Sequence, residues 1–331
     1  LGLLGISIPE EYGGFGKDFV TNMLVTEKTG AGHSYSVAMA AHTGIGTLPT
    51  LYYGNAEQKA KYIPKLSTGE WKACYCLTEP SSGSDANSGK TKAVLTPDGK
   101  HYLINGQKMW ITNGAIADVA IVWARTDEGI KGFLVERGTP GFDAPEIENK
   151  MSLRASVTAA LFFDNVRIPD ANVLPGVTGL RGPLSCLTQA RYGISWGPIG
   201  SAPACLSEVL AYTESRKLFG SPLSHKQLIQ VRLADMARRI TTAQLLALRL
   251  GRLKDAGRLH PTQVSLAKWN NVRMALDIAR DCRDMLGGGG ISAEYVPVRH
   301  MLNLESVITY EGTESVHQLV VGKERTGVSA F

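Results

Sequence analysis

The sequence predicts an α+β chain with a helical N-terminal domain, a β-rich middle domain and a C-terminal four-helix bundle. Three textures carry that reading. Apolar residues spaced three and four apart recur from about residue 17 to 72. Short β-like runs broken by turn signals fill about 73 to 185, and long amphipathic segments run from about 188 onward. The expected domains are 1–72, 73–186 and 187–331.

In the first region, "DFVTNMLVTEKTGAG" keeps helical spacing and stops at glycines, and "NAEQKAKYIPKLSTGE" opens on an Asn cap and meets Pro64 near its end. In the middle, "KAVLTPDGKHYLINGQKMWITN" interrupts its β-like runs at Pro-Asp-Gly and Asn-Gly, and "VAIVWARTDEGIKGFLVERG" repeats the scheme. In the last region, "SAPACLSEVLAYTESRKLFG" ends at Gly220 and "KQLIQVRLADMARRITTAQLLALRLGRLKDAG" runs for many turns. "PTQVSLAKWNNVRMALDIARDCRDMLGGGG" starts at Pro261 and finishes in four glycines. A helix after Thr313 completes the bundle. The stretch "TYEGTESVHQ", just after the apolar run Val307 and Ile308, begins like a strand or loop and then turns helical.

With 331 residues and 44% hydrophobic content the chain can bury a large core in two or three units. No run of about 18 apolar residues could span a bilayer. The opening "LGLLGISIPEEYGGFG" has neither a basic n-region nor a small-residue cleavage site, so it reads as the middle of a fold and not as a secretory signal. The net charge of +5 comes from scattered Lys and Arg, which argues only weakly for nucleic acid and suits anionic small molecules such as phosphorylated cofactors as well. Five irregularly spaced cysteines predict a reducing compartment without a disulfide framework. Cys74 and Cys76 share one strand face, but with no second pair or His cluster nearby they read as buried small hydrophobes, and no metal site is expected.

Several segments could carry chemistry. "CYCLTEPSSGSDANSG" places Gly83, Ser84 and Gly89 where a β-run ends, leaving N–H groups for an anion or simply forming a polar loop. In "MWITNG", Trp110 and Thr112 would share a strand side and could meet a flat aromatic ligand or be ordinary packing. Arg216 and Gln227 suit pyrophosphate or ribose contacts, and equally a solvated helix end. "MLGGGG" is either a generous C-cap or a close approach to a ligand, and the preceding helix excludes a dinucleotide fingerprint. "TYEGTESVHQ" sets Glu311 before Gly312 and Thr313, which alone reads as a helix N-terminus with its favourable carboxylate.

The order "LTEPSSGSD", "WITN", "ARYGI", "RKLFG", "MLGGGGIS" and "TYEGT" strongly resembles the acyl-CoA dehydrogenase family over essentially the whole chain. That resemblance implies a β-barrel-like middle domain, a homotetramer and FAD. Tyr75, Leu77 and Thr78 resemble the strand that bonds the flavin edge, with Gly83 and Ser84 next to its phosphates. Trp110, Ile111 and Thr112 resemble the segment over the flavin ring. Arg216, Phe219 and Gln227 resemble contacts to a neighbouring subunit's FAD, and Asp284, Met285, Leu286, Gly287 and Gly288 the loop gripping its pyrophosphate. Thr313 and Ser315 are similar to further FAD contacts. Ser84, Leu184, Thr188, Arg191, Tyr310 and Gly312 resemble acyl-CoA-binding positions.

The implied reaction is α,β-dehydrogenation of an acyl-CoA to the 2-enoyl-CoA. Glu311 takes the α-proton and hydride passes to flavin N5. The backbone N–H of the glutamate and a ribityl hydroxyl polarise the thioester, and electrons go to electron-transferring flavoprotein. From Arg125 onward the chain looks closest to glutaryl-CoA dehydrogenase, whereas the first 120 or so residues look closer to bacterial longer-chain enzymes. Glutaryl-CoA enzymes hold the distal carboxylate with an arginine near a glutamate, and those positions are Ser36 and Thr29 here. A monocarboxylic acyl-CoA is therefore expected, with glutaryl-CoA as the alternative. An acyl-CoA oxidase and a non-catalytic scaffold or DNA-associated flavoprotein are the other readings. Family members carry one or two helices before the point where this sequence starts. The location expected is cytoplasmic in a bacterium and the mitochondrial matrix in a eukaryote.

Overall fold

A computed structural model of the chain describes residues 2–330. Its first helices are α1 (Phe19–Thr29), α2 (His33–Ala40), α3 (Leu48–Tyr53) and α4 (Ala56–Thr68). The strands β1 (Ala73–Cys76), β2 (Lys92–Leu95), β3 (His101–Thr112), β4 (Val119–Thr126), β5 (Gly129–Glu136), β6 (Phe142–Asp143) and β7 (Thr158–Pro169) follow. The chain then forms α5 (Arg181–Ser215), a hairpin of β8 (Lys217–Leu218) and β9 (Ser221–Pro222), α6 (Gln227–Asp255), α7 (Pro261–Met285), α8 (Val296–Val307) and α9 (Glu314–Thr326). Two compact units result. One holds the N-terminal residues through Lys17, Val37–Lys150 and Arg154–Ala190, and the other Asp18–Ser36, Met151–Leu153 and the chain from Arg191 on.

The first unit is organised by a sheet in the order β1-β4-β2-β3-β7-β6, with β5 paired antiparallel to β4 off that path. β1 and β4 run parallel from Ala73 opposite Val119 to Cys76 opposite Val122. Both faces of β4 are covered, which is why it reads as a continuous apolar run and not an alternating one. Its Ala120, Val122 and Ala124 pack with Cys74, Cys76, Tyr102, Phe133 and Leu161. Its Val119, Ile121 and Trp123 pack with Tyr75, Leu134 and, from α4, Tyr62 and Leu66. α4 begins as its sequence predicts, with Asn55 Oδ1 accepting from the Gln58 N–H and the Gln58 side chain accepting from the Asn55 N–H. All five cysteines are buried free thiols, and the Cys74 and Cys76 sulfurs lie 3.6 Å apart on one strand face.

The second unit is helical around α7, which packs against α6, α8 and α9. Its core joins Trp196, Ile199 and Val209 of α5 to Met236 and Ile240 of α6, Ala275, Leu276 and Ile278 of α7, and Leu304 and Val307 of α8. α1 crosses α5 so closely that a Cβ on Gly200 would lie 1.8 Å from the Glu27 carbonyl oxygen, which requires glycine there.

Two expectations are corrected. The helix expected to end at Gly220 stops at Ser215, because Phe219 and Gly220 take φ of 52° and 79° and turn the chain into the β8–β9 hairpin. The helix count is also corrected, because α8, ending at Val307, was not expected, and the stretch that begins at Thr309 is the loop of its two alternatives. Pro297 stands in that helix's first turn, and Pro297, His300, Asn303, Leu304 and Val307 are buried at helical spacing. The long helices expected after residue 187 are α5, α6, α7 and α9, and α8 is an addition to them. No helix among the described residues is long and apolar enough to cross a membrane.

Candidate active site

In the second unit, the α8–α9 connection carries Glu311. Thr313 caps α9, its hydroxyl accepting from the Val316 N–H at 3.2 Å. Just before it, Glu311 and Gly312 take φ of 52° and 94°. A left-handed glutamate costs on the order of 1–3 kcal/mol, so the turn needs outside support. The support is a row of carbonyls bound by cations. Lys268 Nζ of α7 donates to the Tyr310 and Gly312 oxygens, both at 2.6 Å, and Arg191 Nε of α5 donates to the Glu311 oxygen at 2.9 Å.

These bonds go to the backbone of the turn and not to the Glu311 side chain. Oε2 is buried and has no hydrogen-bond partner among the described residues. Burial pushes the carboxyl up to about 7, against the pull of Arg191 and Lys268. Burial likewise lowers Lys268 to about 7, with Glu311 opposing the change. Burial also raises the Tyr310 phenol, and it lowers His317 to about 4 with the Lys268 and Arg191 charges adding to the effect. The His317 ring is pressed on the turn, so that a Cβ on Gly312 would sit 2.7 Å from its Nε2. A neutral imidazole thus packs on the turn, and the basicity of the carboxylate that the turn carries suits proton removal near neutral pH.

In the first unit, two of the expected segments are fastened side by side. The Met109 N–H donates to the Thr78 oxygen at 2.9 Å. Lys108 Nζ donates to the Leu77 oxygen at 3.0 Å and to Glu79 Oε1 at 2.8 Å, and that carboxylate also accepts from the Lys90 and Thr91 N–H groups. Directly beyond, the β3–β7 register shifts between Lys108 and Ile111, and Trp110 takes φ of 61°. A bulge therefore turns Trp110 outward with 61% of its surface exposed, where plain strand alternation was expected. Ile111 beside it is buried and Thr112 half-buried. Tyr75 faces inward, donating its hydroxyl to the Pro183 oxygen at 3.0 Å, so contact with a ligand would come from its backbone. Leu77 and Thr78 follow β1 instead of lying within it.

Gly83 and Ser84 are exposed, and their N–H groups take no acceptor among the described residues. An exposed indole and unspent N–H donors fit a ligand with a flat ring and phosphates. Leu184 is exposed on α5, and Thr188 donates its hydroxyl to the Leu184 oxygen.

Other expected residues stand at the surface of the second unit. Arg216, Phe219, Gln227 and Ser315 are exposed, Phe219 by 89%. Asp284 pairs with Arg232 at 3.0 Å, and Gly287 and Gly288 are exposed. Met285 and Leu286 are buried in the helical core, which leaves only their backbone to meet a ligand. The structure thus gathers Arg191, Tyr310, Glu311, Gly312 and Thr313 into one cluster and adds two residues that sequence reading missed, Lys268 and His317. Lys268 had a signal, since in "VSLAKWNNV" it falls on the helix face that buries Val264, Ala267, Asn271 and Val272. Glu79 and Lys108 were also missed, Glu79 lying inside a motif read for other residues and Lys108 directly before "MWITNG".

The chain matches family models described as acyl-CoA dehydrogenase N-terminal domain over residues 1–70, middle domain over 74–166 and C-terminal domain over 178–325. It is 38% identical to an acyl-CoA dehydrogenase of Bacillus subtilis (strain 168), over 98% of this chain and 87% of that protein. It is similar to the structure of a glutaryl-CoA dehydrogenase from Mycobacterium smegmatis in complex with FADH2. The TM-score is 0.97 and the identity 48%, covering 100% of this chain and 85% of that one. Butyryl-CoA dehydrogenase from Megasphaera elsdenii superposes with a TM-score of 0.94 at 32% identity, covering 98% and 87% of the two chains.

Proposed function

The chain belongs to the acyl-CoA dehydrogenase family, flavin-dependent oxidoreductases with a helical N-terminal domain, a middle β half-barrel and a helical C-terminal domain, and on that premise we propose that Glu311 is its catalytic base. The observation that carries the reading is the buried, unpartnered carboxylate oxygen of Glu311 on a turn held by Arg191 and Lys268.

In this reading Glu311 accepts the α-proton, and the Cα–H electron pair becomes the new Cα=Cβ bond. FAD, when bound, supplies the acceptor for the hydride that leaves Cβ. Tyr75, Leu77, Thr78, Trp110, Ile111 and Thr112 are the residues proposed to hold the flavin. Gly83 and Ser84 would meet its phosphates, and Thr313 and Ser315 are further contacts. Arg216, Phe219, Gln227 and the Asp284–Gly288 run are assigned to the FAD of another copy in a homotetramer. The exposed Phe219, Leu228, Val231 and Ile291 support such an assembly. Leu184, Thr188, Arg191, Tyr310 and Gly312 are assigned to the acyl-CoA, and electron-transferring flavoprotein to the role of acceptor.

We favour a monocarboxylic acyl-CoA. At the two positions where glutaryl-CoA enzymes place charge, the Ser36 hydroxyl donates to its own helix at the His33 oxygen and the Thr29 hydroxyl to Val25 and Thr26. Burial holds nearby His33 and His300 neutral, lowering them to about 3 and about 4. A buried carboxylate without a cation costs several kcal/mol. The 48% identity to a glutaryl-CoA dehydrogenase supports the second reading, in which the dicarboxylate is accepted.

Anaerobic bleaching of bound flavin by butyryl-, octanoyl- and glutaryl-CoA separates the two. A response to glutaryl-CoA alone would overturn the substrate preference. Glu311→Gln is expected to remain yellow and FAD-loaded while losing dehydrogenation, and substantial residual activity would refute the base assignment. Rapid peroxide formation without a carrier would identify an oxidase instead.

A further inference from the structure

Lys268 is 1% exposed, yet among the described residues it forms no salt bridge. A buried ammonium is usually matched with a carboxylate hydrogen bond. Here it gives its bonds to two neutral carbonyls, those of Tyr310 and Gly312, which flank Glu311 by one residue on each side. With Arg191 on the carbonyl between them, three consecutive peptide oxygens are bound, and the one non-glycine residue among them held at positive φ by this row is Glu311.

We propose that Lys268 is a positioning residue for the Glu311 base, clamping the carbonyls on either side of it so that the left-handed turn keeps the carboxylate aimed and unbonded. The inference rests on Glu311 being the base. It deepens that reading by saying what sets the geometry.

The charged and titratable groups around Lys268 are Arg191 from α5, Tyr310 and Glu311 from the turn, and Glu314 and His317 from α9. Glu314 is bound by Arg273 and by the Trp269 indole N–H at 3.0 Å, so its charge is already matched. The Lys268 ammonium consequently bears on Glu311 in two ways. It fixes the backbone, and it favours the ionised carboxylate.

The test compares Lys268→Met and Lys268→Gln holoenzymes with Glu311→Gln, using whichever acyl-CoA of the panel bleaches the flavin fastest. In Lys268→Met, kcat should fall on the order of 10²-fold, as expected when a reacting group is displaced by about 1 Å. KM should hardly move, and the α-deuterium isotope effect on kcat should grow as proton removal becomes limiting. The acid limb of the rate should move to higher pH, because the ionised carboxylate has lost its ammonium neighbour. Lys268→Gln keeps an amide donor and should recover part of kcat while the acid limb stays displaced.

Wild-type kcat, isotope effect and acid limb in the variants, even with a lowered melting temperature, would overturn the proposal. If Lys268→Met does not fold, Lys268→Gln carries the same readouts. Activity in Glu311→Gln would instead remove the base reading, which keeps the two failures distinct.

Discussion

Replacing Lys108 by Met tests whether the fastening of residues 77–79 to 108–109 is what shapes the proposed flavin segment. The Lys108 and Glu79 side chains are 2% and 4% exposed and 2.8 Å apart. Removing one partner of a buried pair costs roughly 3–5 kcal/mol, mostly because the other charge is stranded. Glu79 keeps the Lys90 and Thr91 N–H bonds, so the lower end, about 3 kcal/mol, is expected at pH 7. In the native protein burial pushes Glu79 up, but Lys108 and the two N–H groups outweigh it and its pKa lies below the usual value. A depressed carboxyl contributes stability above its unfolded pKa, and that contribution fades as pH falls through the folded value. Without Lys108 burial raises Glu79 instead, so the deficit of Lys108→Met should shrink from pH 7 to pH 5. Urea unfolding of the FAD-saturated proteins, followed by circular dichroism, measures it. Adding Glu79→Gln should restore most of the loss, since two neutral groups strand no charge. A deficit below about 1 kcal/mol, or a double variant weaker than the single, would refute the reasoning.

Gly312→Ala puts a Cβ 2.7 Å from His317 Nε2 at φ 94°, and should lower stability by about 1–3 kcal/mol and cut kcat sharply; unchanged steady-state rates would contradict a constrained turn. Glu311 has a folded pKa raised to about 7 from 4.5, so the stability it lends is full below the lower value and lost as pH rises through the upper. Glu311→Gln does not titrate, and its melting temperature should gain on the wild type between pH 5 and pH 8, by a free energy on the order of 3 kcal/mol. A constant difference across that range would exclude the raised pKa. In the wild type, kcat/KM should rise with pH through about 7 as the free base ionises.

What could be read from the sequence was what repeats locally. The Asn55 cap, the β-runs cut by Pro-Asp-Gly, the Thr313 cap and the glycines after α7 each act within a few residues, and all stand where expected. α8 was missed because its apolar end at Val307 shows no helical period of its own without the first turn in view. The outward turn of Trp110 was lost because the bulge depends on pairing with β7 some 50 residues away.

The site divides along the same line. Glu311 was found through a family motif, and its carboxylate alone would have passed for a helix-cap charge. What makes it a candidate base is that its neighbours bind the backbone and not the side chain. Arg191 lies 120 residues before it and Lys268 about 43, and both address peptide oxygens, which every residue possesses. Such a clamp leaves no mark on the residues it holds. It shows in sequence only as a lysine on the apolar face of α7, where a charge is costly unless something specific receives it. Misplaced charge on a buried helix face is therefore the stronger pointer to this site than the acidic turn itself, because the turn has an ordinary explanation and the lysine does not.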